Sequence, residues 1–191
     1  RIILASKSPD RKTLFKTLYN NFEVLDSKFD ESIISCKSPK KLVMALAEGK
    51  CESIFNSTQG ERCVVGADTV VCVDNKIYGK PKDAEEAKEM IRSYSQKTNK
   101  VVTGVCVMFD KGDGIETKIV FSNSTTIKFR KIYENEIEDF IATKEYVNIA
   151  GACSIEGSAG KFMEKVTGSY HNILGLPTSQ LYEILKQENL I

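Results

Sequence analysis

The sequence predicts a mixed α/β domain, a long twisted sheet flanked by helices with a cleft between two lobes. Three observations carry this expectation. Short β-type apolar runs alternate with stretches of helical spacing along the whole chain. The run 63–73 is almost continuously apolar, as a strand covered on both faces must be. Two further β-type segments, 101–109 and 115–129, flank the glycine-rich turn Asp110-Lys111-Gly112-Asp113-Gly114, the pattern of a hairpin.

In order, residues 1–5 read as a buried strand. Ser8 and Pro9 then open a helix over 9–19, because serine suits the N-cap, proline suits the first turn, and Leu14, Phe15 and Leu18 recur at helical spacing. Asn20-Asn21 stops it, and a short strand over 22–25 leads into the loop Asp26-Ser27-Lys28-Phe29-Asp30-Glu31. Ser38-Pro39 opens a second helix running to about Phe55, with Val43, Leu46, Ala47 and Ile54 on its apolar face. After the 63–73 strand, Asp74-Asn75-Lys76 turns the chain into Ile77-Tyr78, and Gly79-Lys80-Pro81 breaks it. A helix over 84–94 carries Asp83 and Glu86 as a capping pair. The hairpin strands follow, then a helix over 134–143, a Gly/Ala/Ser-rich loop over 150–160, and a last helix from about Thr178 to Gln187. Repeats and low-complexity tracts are missing. Residues 1–191 read as one domain.

Composition narrows the functional classes. The 27 basic and 26 acidic residues leave a formal charge of +1, which argues against a generalised nucleic-acid or membrane surface. A phosphate partner must then be held by a local cluster. The six cysteines include no CxxC and lie mostly in apolar segments, the pattern of reduced, buried thiols in a cytoplasmic protein. One histidine, His171, precludes a multi-histidine metal site. No span approaches about 18 apolar residues. The chain opens on Arg1 rather than Met, as a trimmed start would, so a targeting segment could have preceded it.

Two stretches carry the candidate chemistry. The start Ile2-Ile3-Leu4-Ala5-Ser6-Lys7-Ser8-Pro9-Asp10-Arg11 reads as strand, turn and helix, a local anion cradle with Ser6, Ser8, Lys7 and Arg11 as donors. In the second, Asp68 interrupts the apolar run Val64–Val71. Its bland reading is a turn residue in a bulge; its functional one is a carboxylate in a dry wall that binds metal or takes a proton. Lys50 falls on the inner face of its helix, where it either snorkels, pairs with an internal acid, or meets an anionic ligand. Lys80 reads as a solvated loop lysine or a phosphate ligand. Asp30 and Glu31 are surface acids unless one of them joins Asp68 around a Mg²⁺ or Mn²⁺ ion. There is no Walker A and no GxGxxG. The cluster Gly168–Asn172 is a weak candidate for holding phosphate or base.

With those residues in view, the chain resembles the Maf (septum-formation-inhibitor-like) nucleotide pyrophosphatases over nearly its whole length. The family's L-A-S-x-S-P-R-R is similar to Leu4–Arg11, its D-E to Asp30-Glu31, its helix lysine to Lys50, and its A-D-T-V-V to Ala67–Val71. G-K-P matches Gly79–Pro81, T-G matches Thr103-Gly104, A-G-x-x-x-I-x-G matches Ala150–Gly157, and G-S-Y-x-x-x-x-G-L-P matches Gly168–Pro177. The resemblance implies an ITPase-like fold of the Maf/Ham1 kind. It implies hydrolysis of a nucleoside triphosphate to the monophosphate and pyrophosphate, with a divalent cation (Mg²⁺, Mn²⁺ or Co²⁺) between Asp68 and Glu31. Asp68 would activate water; Arg11, Lys50, Lys80, Ser6 and Ser8 would hold phosphate. A homodimer is plausible by the same resemblance.

Substrate choice is expected at Asp10, Thr69 and Glu156. One Maf subfamily, acting on modified guanine nucleotides, has Trp, Gln and Glu at these places, and the dTTP/UTP subfamily has Arg, Thr and Gln. This chain mixes them, so dTTP, UTP or a modified nucleotide all stay open. Ile149 stands where the family usually has lysine. A second reading is a nucleotide-binding regulator of cell division whose catalysis Asp10 has weakened.

Overall fold

The computed structural model describes residues 1–191. Seven strands and six helices form it: β1 (Ile2–Ala5), α1 (Pro9–Lys16), β2 (Glu23–Val24), α2 (Pro39–Phe55), β3 (Arg62–Val73), β4 (Lys76–Tyr78), α3 (Ala84–Tyr94), β5 (Thr98–Asp110), β6 (Thr117–Phe129), α4 (Glu134–Ala142), β7 (Met163–Thr167), α5 (Tyr170–Ile173) and α6 (Thr178–Gln187). The strands make one sheet in the order β2-β1-β3-β5-β6-β7, with β4 paired to β3. The mixed α/β class that the sequence predicts is the class observed.

The chain divides into two compact units. The first comprises Arg1–Asp68, Thr103–Asn123 and Gly175–Ile191; the second comprises Thr69–Val102 and Ser124–Leu174. Each has a core of its own. In the first, Ile3, Val64 and Cys106 from the sheet pack against Ala47, Cys51 and Phe55 of α2. In the second, buried aromatics dominate: Tyr94 lies 5.3 Å from Phe129 between ring centroids, and Phe140 meets Phe162 edge-on at 5.9 Å.

Local chemistry explains the element ends. Ser8 and Ser38 cap α1 and α2 by accepting from the amides of Arg11 and Lys41. Asp83 caps α3 through the Glu86 amide at 2.8 Å, and Glu86 reaches back to the Lys82 amide, one residue before the cap itself. Asp74 and Asn75 both take positive φ (47° and 65°), as a two-residue hairpin turn between β3 and β4 requires.

Three expectations are corrected. The first helix ends at Lys16, not residue 19, because the Thr17 hydroxyl donates to the Leu14 carbonyl (2.7 Å) and closes the last turn. The loop 150–160 holds two 3-10 turns, Ala150–Ala152 and Ser158–Phe162. Beyond it lies β7, which pairs antiparallel with β6 through a register shift at Lys128/Phe129. No residue of β7 is fully buried, so its sequence shows no apolar alternation.

Candidate active site

The site is built where β1 ends beside β3. β1 runs beside β3 in parallel register, with Ala5 opposite Gly66. The chain leaves β1 at Ser6, so the Ser6–Ser8 turn begins beside the part of β3 that carries Asp68, the end of a parallel strand at which α/β folds place ligands. β3 continues through Asp68 to Val73, so Asp68 lies within the strand and not in a turn at its end.

Helix α2 delivers Lys50 because two strand glycines let it sit close. A Cβ on Gly66 would lie 2.6 Å from the Ala47 carbonyl oxygen, and one on Gly104 would collide with the Val43 carbonyl. With the helix held against the sheet, Lys50 Nζ reaches Asp68 Oδ1 at 2.6 Å. A third glycine brings in the acidic loop: Gly49 leaves room on α2 for the ring of Phe29, which a Cβ there would overlap. Two residues beyond Phe29, Glu31 Oε1 lies 3.0 Å from the same Lys50 ammonium.

The result is an Asp–Lys–Glu trio. The Lys50 and Asp68 side chains are only 14% and 12% exposed, so their attraction is little screened, whereas Glu31, at 56%, is the wet partner. Lysine thus pairs with an internal acid, one of the options the sequence leaves open. Asp30 does not join: its carboxylate accepts from the Ser32 amide (3.0 Å) and hydroxyl (2.7 Å), which holds it below the usual carboxylate range and caps the turn Glu31–Ile33.

Arg11 is the second cation. Its Nε donates to the Gly175 carbonyl at 2.8 Å, and its Nη1 lies 3.5 Å from Ser6 Oγ. Burial pulls the guanidinium below its ordinary value, opposed by the charges of Asp68, Glu31 and Asp10. The cradle itself is tighter than the sequence suggests. Ser6 Oγ accepts from the Ser8 amide (3.2 Å) and Ser8 Oγ from the Arg11 amide (3.4 Å), so those N–H groups already have partners. The two hydroxyl protons and the Arg11 side chain are what the turn's own side chains can offer an anion. Lys7 points elsewhere, to Asp26 at 2.6 Å, and Asp10 is exposed in the first turn of α1.

The remaining candidates belong to the second unit. Thr69 is half-buried on β3, and Lys80 is exposed after β4. Glu156 is exposed and accepts from the Tyr170 hydroxyl at 3.3 Å. That phenol is pushed above its ordinary value, first by burial and then by Glu156. The Gly168–Asn172 cluster is a clasp: Ser169 caps α5 through the Asn172 amide, and buried Asn172 donates to the Val101 carbonyl and to Thr125 Oγ1, both at 3.1 Å. Gly168 holds φ +122°, where a Cβ would strike Thr125. Sequence reasoning missed the positioning glycines; a glycine inside α2, which costs about 1 kcal/mol against alanine, is the signal that could have found Gly49.

Chemically, the first unit offers two carboxylates focused on one positive charge, a guanidinium, and two hydroxyls. No group of three or more His, Cys, Asp or Glu side chains is positioned to hold a metal by itself.

Comparison with known proteins places this geometry. The chain is 42% identical over 187 residues to the dTTP/UTP pyrophosphatase of Bacillus cytotoxicus, covering 98% of this chain and 95% of that one. The dTTP/UTP pyrophosphatase of Clostridium novyi is 37% identical over 185 residues, covering 96% and 95%. Among solved structures, the Staphylococcus aureus Ham1 protein matches with a TM-score of 0.52 at 13% identity, covering 98% of both chains, a likeness of fold. The family model described as Maf-like protein matches residues 1–188, and the chain belongs to that family.

Proposed function

We propose that this protein is a nucleoside triphosphate pyrophosphatase: water cleaves the anhydride to leave a nucleoside monophosphate and pyrophosphate. The observation that carries the reading is Asp68, a carboxylate in an apolar strand, held by Lys50 beside Arg11. It is supported by the relatives named dTTP/UTP pyrophosphatase. We take dTTP and UTP as substrates, with a modified nucleotide as the further option that Glu156 raises.

Asp68 accepts the proton as water attacks phosphorus. Arg11 and Lys50 hold the charge gathering on the departing pyrophosphate, and the Ser6 and Ser8 hydroxyls donate to phosphate oxygens. Lys80 as a phosphate ligand, and Thr69, Glu156 and Asp10 as specificity residues, rest on their motif positions. The residues fit a divalent cation of the Mg²⁺, Mn²⁺ or Co²⁺ type, since Asp68 and Glu31 already converge on one cation and such ions take one or two carboxylates plus phosphate and water. Bound there, it would offset phosphate charge. We place the enzyme in the cytoplasm as a homodimer acting on free nucleotides, without nucleic acid or membrane. All six cysteines are free, and no helix is long and apolar enough to cross a membrane.

Pyrophosphate release across a panel of nucleotides with each of the three cations tests the proposal. Turnover of dTTP or UTP is expected. Binding without release would instead favour the nucleotide-binding regulator, in which exposed Asp10 beside the phosphate turn has weakened catalysis.

A further inference from the structure

We propose that Lys50 couples metal binding to nucleotide binding, by occupying with its own ammonium the carboxylates that a divalent cation needs. This rests on the cation and nucleotide reading given above. Lys50 Nζ stands 2.6 Å from Asp68 Oδ1 and 3.0 Å from Glu31 Oε1, so the two acids share one charge. A dication approaching the same oxygens meets that ammonium at close range, little screened on the Asp68 side, with the Arg11 guanidinium as a second repulsive charge. Lys50, Arg11 and the dication together carry four positive charges against the three negative ones of Asp68, Glu31 and the exposed Asp10. A triphosphate changes the balance. It supplies the missing negative charge and gives Lys50 another anion to bind, which its flexible four-carbon stem can follow without moving α2. Cation and nucleotide therefore bind together far more tightly than either alone, and by linkage each raises the affinity of the other by the same factor. The free protein is kept from collecting metal without substrate.

Direct Mn²⁺ binding, read from the loss of the free-ion electron paramagnetic resonance signal, tests this without any turnover. The full chain is titrated alone and with α,β-imido-dTTP, correcting for Mn²⁺ bound by the analogue itself. In the wild type the analogue should lower the Mn²⁺ Kd by on the order of tenfold or more. In Lys50→Met the nucleotide-free protein should bind Mn²⁺ about tenfold more tightly than the wild type, and the analogue should then lower the Mn²⁺ Kd by a smaller factor than in the wild type. Lys50→Gln serves the same comparison if circular dichroism shows the methionine variant to be misfolded. Unchanged Mn²⁺ affinity of the nucleotide-free variants, beside a wild type that binds Mn²⁺ with the analogue, overturns the coupling alone. A wild type that takes up no Mn²⁺ even with the analogue overturns the cation reading, and this inference with it.

Discussion

Gly66 faces the backbone of α2 so closely that a Cβ there would lie 2.6 Å from the Ala47 carbonyl oxygen and 3.0 Å from the Cys51 amide nitrogen. Both are main-chain atoms, so no flexible side chain can yield. Gly66→Ala must push α2 off β3, at a cost of about 1–3 kcal/mol for overpacking. Because Lys50 precedes Cys51, the Lys50–Asp68 pair opens as well. Denaturant midpoints and kcat/KM of the folded variant should both fall. A variant with wild-type kinetics would show that the close approach does not serve the site.

Asp68→Asn should fold, since the amide oxygen still accepts from Lys50. It should lose turnover by on the order of 10²–10⁴, the usual worth of a general base, and more if metal ligation goes too. Nucleotide affinity measured without a divalent cation should change little. Retention of more than about a tenth of wild-type kcat, roughly 1.4 kcal/mol of barrier, would take Asp68 out of the reaction.

Glu156 accepts a hydrogen bond and cannot donate one while ionised. Glu156→Gln adds a donor and should shift the ratio of kcat/KM between two nucleotides by about tenfold, the scale of one mispaired polar group. Equal scaling on every nucleotide would mean that Glu156 does not read the base.

Glu136 is pinned by a bidentate contact with Arg130 (2.7 and 3.0 Å) and by the Tyr133 amide, which together hold its carboxyl down at about 2. A depressed acid stabilises the fold above its unfolded value near 4.5 and loses that contribution as pH falls toward 2. Glu136→Gln should therefore be less stable than wild type at pH 7, with the gap narrowing steadily below about pH 4.5. Urea midpoints at several pH values measure it, and a gap that widens in acid would contradict the sign.

Cys51, Cys63 and Cys106 are buried and Cys153 is half-buried, and desolvation pushes the Cys63 and Cys153 thiols up to about 12. Since the thiolate is the nucleophile, these four should resist a disulfide reagent at pH 8 until the protein unfolds. Cys36 and Cys72, half-buried, are the two expected to react first. Six fast thiols in the native protein would contradict this core.

Helices were the most legible part of the sequence. The residues of α3 and α6 match their predicted ranges, because periodicity and breakers agree at both ends. β7 is illegible because no residue on it is fully buried, and α5 because four residues hold no period. Within the site, Lys50 and Asp68 stand out as charges in apolar surroundings. Asp30 and Glu31 are alike as letters; only the turn decides that one caps and the other faces Lys50. Gly49 is marked only by standing inside a helix, and Gly66 and Gly104 carry no mark at all, since a close approach is defined by the partner, which the sequence does not show.

The chain passes from one unit to the other four times, at 68/69, 102/103, 123/124 and 174/175. No continuous fragment therefore consists of one whole unit alone. On the ribosome, Arg11 waits 164 residues for the carbonyl of Gly175 that fixes it. A nascent chain stalled before Gly175 would carry Asp68 and Lys50 but not that anchor, so competence to act on nucleotides waits until Gly175 has been made. Pairings this distant in sequence also make for slow folding.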